Sequence, residues 1–372
     1  MKILFFNWRD ITNPLGGGAE LYVHEIGKRL AKNHEVVLYC AKYRGCSERD
    51  EVDGVKIIRR GGAFSVYFYA FFDYLLRLRK ENFDIVIDSI NCVPFFTPLF
   101  TRTPKIALLY HIVNKETISQ EIPFPADLVA WLAQRLIPFI YKNINFVTIS
   151  DSSKEDLVRF GVPRNKVDIV YSGVNHTLLA PMGESEKPLI AYIGVIKRYK
   201  QLDHLLRILP LIRREVLGAE LVIAGKRGDN ELQNMKKNLG LEHCVKLQGE
   251  VSEAEKAQIL QKAWVFVIPS VKEGWGISVI EANACGTPAI AYDVPGLRDS
   301  IKNGKTGLLV PYGNIRELAR ATIRVLTGTR LRQNLSRNAR KWASSFDWDK
   351  SAQGFMKIME KAMGRNHDDH AK

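Results

Sequence analysis

The first half of the chain alternates between short apolar runs and longer amphipathic stretches. Short apolar runs bounded by turn residues predict buried strands, and apolar residues spaced three or four apart predict helices. The predicted strands of this half are 2–7, 35–40, 55–59, 84–88, 105–110, 145–150 and 167–171. Such alternation is typical of a parallel sheet covered by helices.

The same pattern begins again after a polar, turn-rich segment at 176–188. The second set of predicted strands is 189–194, 219–225, 244–249, 264–269, 288–292 and 307–311. The sequence therefore predicts an α/β protein with two Rossmann-like domains, one over 1–178 and one over 188–346. Ligands of such sheets bind at the carboxyl ends of the strands, and we expect a site in a cleft between the facing domains.

The composition agrees with two globular domains. The chain has 372 residues, of which 46% are hydrophobic and 25% charged, and this length exceeds that of a typical single core. Five scattered cysteines favour reduced thiols and a cytoplasmic location. The apolar run at the amino terminus is too short for a signal peptide.

The most apolar window of the chain is VYFYAFFDYLLRL, from Val66 to Leu78. It is too short to span a bilayer and contains Asp73. We interpret it as a buried helix, and its aromatic residues leave contact with a membrane interface as the alternative.

The net charge of +14 lies largely in the carboxyl-terminal half. Arg316, Arg320 and Arg324 follow helical spacing, and further basic residues come after them. We interpret them as a solvated helical face, with attraction to an anionic membrane as the alternative. Nucleic acid is not an expected partner, because no nucleic-acid-binding module accompanies the charge.

A glycine run, Gly16 to Gly18, lies between the first predicted strand and a helix. It lets backbone amides approach a ligand at the amino end of that helix, although a tight turn would explain it equally well. The run does not match G-x-G-x-x-G, and the second strand ends at Cys40 without an acidic residue for a ribose. The sequence thus disfavours a dinucleotide oxidoreductase.

Two other stretches carry candidate chemistry. The first strand of the second half is followed by three cations, Lys197, Arg198 and Lys200. Cations at this position could bind a diphosphate. Exposure at a soluble surface would explain them as well. In KEGWGISVIEA, Glu273 is predicted on a loop after a strand, and Glu281 on the helix that begins near Ile277.

The spacing of these two glutamates is not informative by itself. Glu242 and Glu250 have the same spacing, but they flank a predicted strand and so lie at its opposite ends. We interpret that second pair as a coincidence.

The stretch PSVKEGWGISVIEANACGTPAIAYDVPG resembles the donor-binding signature of family 4 glycosyltransferases, which are retaining enzymes of the two-Rossmann-domain GT-B fold. Further parts of that family resemble five other stretches of this chain: GGGAELYVHEIGKRLA, LLYHIVN, VTISDSSKEDLVRFGVPRNKVDIVYSGVN, VIAGKRGDNELQNMKKNLGL and VKLQGEV. The resemblance implies transfer of a sugar from a nucleotide diphosphate sugar to an acceptor hydroxyl. Cell-surface polysaccharide, glycolipid and glycoprotein glycans are the expected products.

The resemblance also implies roles for single residues. Glu273 would contact the transferred sugar and stabilise the positive charge that develops on it. Glu281 would bind the ribose, and His111 would bind the sugar or the acceptor. The donor sugar would also contact Gly274, Trp275 and Gly276. The base would contact Gly249 and Val251. The residues that would bind the diphosphate are Gly18, Arg198, Lys200, Gly276, Ile277 and Ser278. No metal, cofactor, protein nucleophile or general base is implied.

The sequence departs from the family pattern at Val195, where the family often has an arginine. Lys197 or Arg198 would then have to replace that guanidinium. Asn175 stands where the family commonly has aspartate. The segment 350–363 resembles the family's terminal helix, which crosses back onto the first domain.

The expected partners are a nucleotide-sugar donor and a glycan or lipid-linked acceptor. The expected location is cytoplasmic, with peripheral contact at the inner face of an anionic membrane as the alternative. Two other functions stay open: a nucleotide-sugar epimerase of the same fold, and a non-catalytic protein that binds sugar nucleotides or anionic surfaces.

Overall fold

The computed structural model describes residues 1–112, 115, 118–119, 124–226 and 230–364. The chain forms two compact units: unit 1 comprises Met1–Ser172 and Trp348–Lys372, and unit 2 comprises Gly173–Asp347. Residues 173–178, which we assigned to the first domain, lie in unit 2.

Unit 1 is built on an eight-stranded sheet. Its strands are β1 (Lys2–Phe6), β2 (Glu35–Cys40), β3 (Arg49–Val52), β4 (Val55–Arg59), β5 (Ile85–Ile90), β6 (Lys105–Leu109), β7 (Asn145–Thr148) and β8 (Val167–Ile169). The α-helices with described bounds are α1 (Gly18–Leu30), α2 (Val66–Leu76), α3 (Ala126–Arg135), α4 (Ile137–Ile140), α5 (Asp151–Arg159) and, from the end of the chain, α13 (Trp348–Ala362).

The strand order in unit 1 is β3-β4-β2-β1-β5-β6-β7-β8. Neighbouring strands are parallel except β3, which pairs antiparallel with β4. The pattern predicted every strand but β3, whose sequence RDEV is charged and largely exposed. The order reverses between β1 and β5, and ligands of such sheets bind at this kind of switch point.

The last helix, α13, belongs to unit 1, as the resemblance implied. Phe355 is fully buried, and its ring stacks on Phe5 of β1 with centroids 6.1 Å apart. Trp348 packs edge-on against Tyr22 of α1, at 5.8 Å. These aromatic contacts make the end of the chain part of the core of unit 1.

Helix α2 does not match its predicted burial. Val66, Ala70 and Tyr74 face the core, but Phe68, Phe72 and other large apolar side chains of the same helix are exposed. The apolar residues run all around the helix, and only one side has a sheet to pack against. Among the described residues, no helix has both the length and the apolar character needed to cross a bilayer.

Unit 2 is built on a six-stranded parallel sheet. Its strands are β9 (Leu189–Ile193), β10 (Glu220–Ala224), β11 (Val245–Gly249), β12 (Val265–Ile268), β13 (Ala289–Tyr292) and β14 (Gly307–Val310). Its α-helices are α6 (Asp203–Glu215), α7 (Asn230–Asn238), α8 (Glu253–Lys262), α9 (Ile277–Ala284), α10 (Leu297–Ser300), α11 (Ile315–Thr327) and α12 (Thr329–Ala343).

The strand order in unit 2 is β11-β10-β9-β12-β13-β14. This is the Rossmann order 3-2-1-4-5-6. Its switch point lies between β9 and β12, so the loops that follow these two strands should carry the ligand-binding residues. The prediction of two Rossmann-like α/β domains is confirmed.

Candidate active site

The switch point of unit 2 brings together two of the predicted residues. Lys200 ends a short 3-10 helix, Arg198–Lys200, in the loop after β9, and Glu273 lies in the loop after β12. The Lys200 Nζ donates a hydrogen bond to the Glu273 Oε1 at 2.5 Å, and the two side chains are only 10% and 12% exposed. Residues 73 positions apart thus form one buried ion pair at the carboxyl edge of the sheet.

The three candidate cations have different environments. Burial alone would lower the pKa of Lys200, but the Glu273 carboxylate more than offsets this effect and raises that pKa above its ordinary value. Lys197 is half-buried, with its Nζ 5.7 Å from the centre of the Tyr199 ring. Arg198 is exposed. Lys200 is therefore the cation that contacts Glu273.

The loop that holds Glu273 is supported by Gly296. The Glu273 amide donates to the Pro295 carbonyl oxygen at 3.2 Å. Gly296 has a φ of +80°, and a Cβ at this position would lie 2.2 Å from the Glu273 carbonyl oxygen. Only glycine fits both the conformation and the close approach. The segment DVPG lies within the stretch that resembles the family signature, and the resemblance implies no role for it.

Helix α9 begins directly after this loop. Gly276 precedes its first residue in a left-handed conformation, φ +86°, and Ile277 and Ser278 form the start of the helix. The unpaired amides and the positive dipole end of such a helix favour a phosphate. The predicted loop-then-helix arrangement of Gly274, Gly276, Ile277 and Ser278 is confirmed, and their ligand contacts stay predictions.

The Trp275 indole belongs to the core of unit 2. The residue is 2% exposed, and its ring packs against Phe346 with centroids 5.1 Å apart. If Trp275 contacts a donor sugar, as we predicted, it can do so only through its backbone.

Glu281 forms a second buried ion pair. It lies on α9, and its Oε1 accepts a hydrogen bond from the Nζ of Lys256 on α8 at 2.6 Å. Each side chain is 10% exposed. Lys256 also pairs with the exposed Glu253 at 2.7 Å. These contacts fix the position of the carboxylate that we assigned to the ribose.

Lys256 is a residue of this site that the sequence did not predict. Burial lowers its pKa, but the nearby Glu281 and Glu253 carboxylates outweigh burial and raise that pKa above its ordinary value. One sequence feature could have indicated its burial: Lys256 lies on the same helical face as Ala257 and Leu260, both of which are buried. A lysine on an apolar face needs a buried partner.

The residues predicted for the base lie at the end of β11. Gly249 has a φ of +71° with open space beside it, and its carbonyl oxygen accepts a hydrogen bond from the Gly225 amide at 2.6 Å. Val251 is half-buried in the turn before α8. Glu250, from the pair interpreted as a coincidence, instead forms an ion pair with Lys226 at 3.2 Å.

Gly18 and His111 lie in unit 1. Gly18 is the first residue of α1, and Gly16 before it donates to the Asn13 carbonyl oxygen at 2.8 Å, so the glycine run does form a turn. His111 follows β6 at the carboxyl edge. The Tyr110 hydroxyl donates to the Ala19 carbonyl oxygen at 3.1 Å, which joins the end of β6 to the start of α1.

The loop after β1 is also fixed by a buried ion pair that we did not predict. Arg59 and Asp10 have fully buried side chains, and the guanidinium Nε donates to the Asp10 Oδ2 at 2.8 Å. Burial raises the pKa of Asp10, but hydrogen bonds from Arg59 and Thr12 together hold it below its ordinary value. This pair ties the loop to β4.

Within the described ranges, no group of three or more His, Cys, Asp or Glu side chains is arranged to hold a metal ion. The unit 2 site contains the positive end of α9 and the lysines Lys200 and Lys256, each of which is paired with a carboxylate, and Lys197 and Arg198 lie in the loop beside Lys200. The start of α9, whose amides are unpaired within the helix, is suited to an anionic ligand.

Comparison with known proteins identifies related chains. The family model described as Glycosyltransferase Family 4 matches residues 16–178, and the one described as Glycosyl transferases group 1 matches residues 181–342. An uncharacterized glycosyltransferase of Methanocaldococcus jannaschii is 27% identical, over 98% of this chain and 99% of that protein.

Two further relatives have more specific names. The N,N'-diacetylbacillosaminyl-diphospho-undecaprenol alpha-1,3-N-acetylgalactosaminyltransferase of Campylobacter jejuni is 26% identical, over 78% of this chain and 81% of that enzyme. The structure of Anabaena HepE in complex with UDP and glucose matches with a TM-score of 0.77 and 18% identity, over 97% of this chain and 100% of that chain. The protein is a transferase with the GT-B fold and belongs to the family 4 glycosyltransferases.

Proposed function

We propose that the protein is a retaining glycosyltransferase that moves a sugar from a nucleotide diphosphate sugar to an acceptor hydroxyl. The observation that carries the proposal is the arrangement at the switch point of unit 2. Lys200 and Glu273 meet there beside the start of α9, and Glu281 lies further along the same helix. This order supports a site in which a diphosphate, a sugar and a ribose would bind one after another.

The charges of these groups match the needs of the reaction. As the bond between sugar and diphosphate breaks, negative charge grows on the leaving group and positive charge on the sugar. Lys200 and the first amides of α9 would stabilise the diphosphate, with the Gly18 amide contributing. Arg198 or Lys197 would replace the guanidinium absent at Val195. Glu273 would stabilise the sugar.

The remaining assignments concern recognition. Glu281, oriented by Lys256, would accept hydrogen bonds from the ribose, and the backbone at Gly249 and Val251 would contact the base. His111 would bind the sugar or the acceptor. The departing phosphate would take the acceptor proton, so we assign no protein nucleophile, general base, cofactor or metal.

The donor and acceptor classes are proposed by analogy. HepE was crystallised with UDP and glucose, and the name of the Campylobacter enzyme states a diphospho-undecaprenol acceptor. We therefore propose a UDP-sugar as the first donor to test, and a glycan on a lipid carrier as the acceptor. The reaction would take place at the cytoplasmic face of a membrane, in glycan synthesis.

Product analysis tests the proposal. The protein is incubated with UDP-, GDP- and ADP-sugars, with and without lipid-linked acceptors and with EDTA in a parallel series. We expect a glycosylated acceptor whose new linkage keeps the anomeric configuration of the donor, with or without EDTA. An epimerised nucleotide sugar without acceptor would support the epimerase instead, and the absence of any product would favour the non-catalytic binding protein.

A further inference from the structure

Helix α2 exposes a row of large apolar side chains along unit 1. Phe64, just before the helix, is 58% exposed, and Phe68, Phe72 and Leu76 are 70%, 56% and 64% exposed. They are four residues apart, so they follow one side of the helix over about 18 Å. We call Phe64, Phe68, Phe72 and Leu76, together with Leu99, the α2 patch. Leu99 is 66% exposed.

The patch is held firmly in place. Val66, Ala70 and Tyr74, on the opposite side of α2, are at most 5% exposed and pack into the core of unit 1. The Phe71 ring contacts the rings of Phe72 and Phe100, at 5.2 and 5.4 Å. Because Phe100 directly follows Leu99, these contacts connect α2 with the neighbouring segment. Exposed apolar groups on a well-packed helix indicate an interaction surface.

The charges around the patch are positive. Arg77, Arg79 and Lys80 follow the helix and Arg102 follows Phe100, and all four are exposed. Within the described part of the chain, none of the four forms an ion pair. The acidic side chains nearby are already paired: Asp73 with Tyr39 and Arg60, and Glu81 with Lys2.

We propose that the α2 patch inserts into the interfacial region of an anionic phospholipid bilayer. Aromatic and aliphatic side chains enter the boundary between headgroups and acyl chains, while arginine and lysine bind the headgroup phosphates. A second copy of the chain fits less well, because a twofold interface would bring the same unpaired cations against one another.

The position of α2 gives this contact a use. Helix α2 follows β4 and so begins at the carboxyl edge of the sheet, where the Tyr67 ring packs against Phe95 in the loop after β5, at 4.7 Å. Insertion of the patch would hold that edge of unit 1, with Gly18 and His111, near the lipid surface. The inference deepens the proposed function, on which it rests for a lipid-linked acceptor.

Vesicle binding tests the proposal with the full chain. Sedimentation is compared for vesicles of phosphatidylcholine alone and of phosphatidylcholine with phosphatidylglycerol. We expect binding to the anionic vesicles, and a loss of at least tenfold in the variant Phe68→Ser/Phe72→Ser. Arg77→Gln/Arg79→Gln should lose about fivefold for each charge removed. The control Met182→Ser/Leu217→Ser changes exposed apolar residues of unit 2 and should bind like the wild type.

Three results would overturn the proposal. One is unchanged vesicle binding by Phe68→Ser/Phe72→Ser. Another is loss of binding when Arg337, Arg340 and Lys341 are changed to glutamine instead, because the contact would then lie on α12. The third is that the wild type forms an oligomer and Phe68→Ser/Phe72→Ser is a monomer, since the patch would then bind another copy of the chain. Stabilisation by a nucleotide sugar, measured on the same variants, should not change, so failure here is distinguishable from failure of the proposed function.

Discussion

At the scale of single residues, the site in unit 2 consists of two buried ion pairs with different expected tasks. Lys200–Glu273 lies at the end of the strands, and Lys256–Glu281 joins two helices. Burying such a pair costs desolvation, and burial alone is poor evidence of a gain in stability. We therefore propose that the first pair serves the diphosphate and the sugar, and that the second positions Glu281 for the ribose.

The first prediction concerns Glu273. Replacement of Glu273 by alanine should slow transfer about a hundredfold, because the carboxylate is needed most when positive charge develops on the sugar. The KM for the donor should change little. Steady-state kinetics measure both values, and Glu242→Ala, which changes an exposed glutamate, is the control. Full activity of Glu273→Ala would contradict the assignment.

The second prediction concerns Lys256. Lys256→Met should lower the free energy of unfolding by about 3 kcal/mol, because it leaves the buried Glu281 carboxylate without its partner. The double variant Lys256→Met/Glu281→Met should regain much of that stability and still fail to bind the donor. Urea unfolding and donor titration measure the two effects.

Glu253→Gln is the control for Lys256, because its side chain is 72% exposed. It should change stability by less than about 1 kcal/mol. If Lys256→Met had no larger effect than Glu253→Gln, the buried pair would have no role in positioning Glu281.

The sequence predicted the position of Glu273 and Glu281 better than it predicted their partners. The carboxylates lie in a recognisable order of strand, glycine loop and helix. Lys256 was missed because a lysine within a charged segment is ordinarily exposed, and only the packing of α8 against α9 reveals that it is buried.

At the scale of elements, the loops after β12 and β13 support each other through Gly296. Gly296→Ala should displace the Glu273 backbone, because the new Cβ would lie 2.2 Å from its carbonyl oxygen. We expect transfer to fall at least tenfold, since misplacement of about 1 Å is costly in an active site.

Gly313→Ala separates the displacement from ordinary backbone strain. Gly313 also has a positive φ, +75°, but no atom lies within 4 Å of its added Cβ. Both variants should lose stability, and only Gly296→Ala should lose transfer activity disproportionately. Equal activity in the two variants would show that the Gly296 contact does not position Glu273.

Most elements could be predicted from the pattern because buried parallel strands are nearly continuous apolar runs. Strand β3 could not, since its charged residues pair at an exposed sheet edge. The prediction that α2 is buried was wrong for a related reason. An apolar sequence does not show how many sides of the helix pack against other parts of the fold.

At the level of the whole molecule, both units have a parallel sheet with one switch point, and the sheet of unit 1 has two more strands, one of them antiparallel. Unit 1 includes the buried Asp10–Arg59 pair, which has no counterpart in our sequence predictions. Its consequence is a dependence of stability on pH. Asp10 has a pKa below its ordinary value of 3.8 in the folded chain. It therefore stabilises the fold above that value, and the contribution is lost as the pH falls through the lower, folded pKa.

Asp10→Asn should accordingly destabilise unit 1 by about 3 kcal/mol at neutral pH. The difference in Tm between the wild type and this variant should shrink as the pH falls below about 4, where Asp10 of the unfolded chain binds its proton, and should be smallest once the folded carboxylate is protonated too. Thermal unfolding across this range measures it. Asp50→Asn is the control, because Asp50 contacts the same Arg59 but is 43% exposed. A difference that stays constant with pH would contradict the assignment.

The division into two Rossmann-like units could be read from the repeated strand–helix pattern and the polar break. The assembly of ligand groups on each unit could not, because it depends on which strands are neighbours. The 3-2-1-4-5-6 order makes β9 and β12 adjacent, and this adjacency brings Lys200 to Glu273.

The proposed function requires that unit 2 binds a nucleotide sugar through Glu281. Thermal shift with UDP-, GDP- and ADP-sugars, on wild type, Glu281→Ala and Glu242→Ala, tests it most directly. At a hundredfold excess over Kd, one donor class should stabilise the wild type by about 2.7 kcal/mol, raising the Tm by about 5 °C. Glu242→Ala should respond equally, and Glu281→Ala should respond much less. No shift with any nucleotide sugar, or equal shifts in all three proteins, would show that Glu281 does not hold a nucleotide sugar.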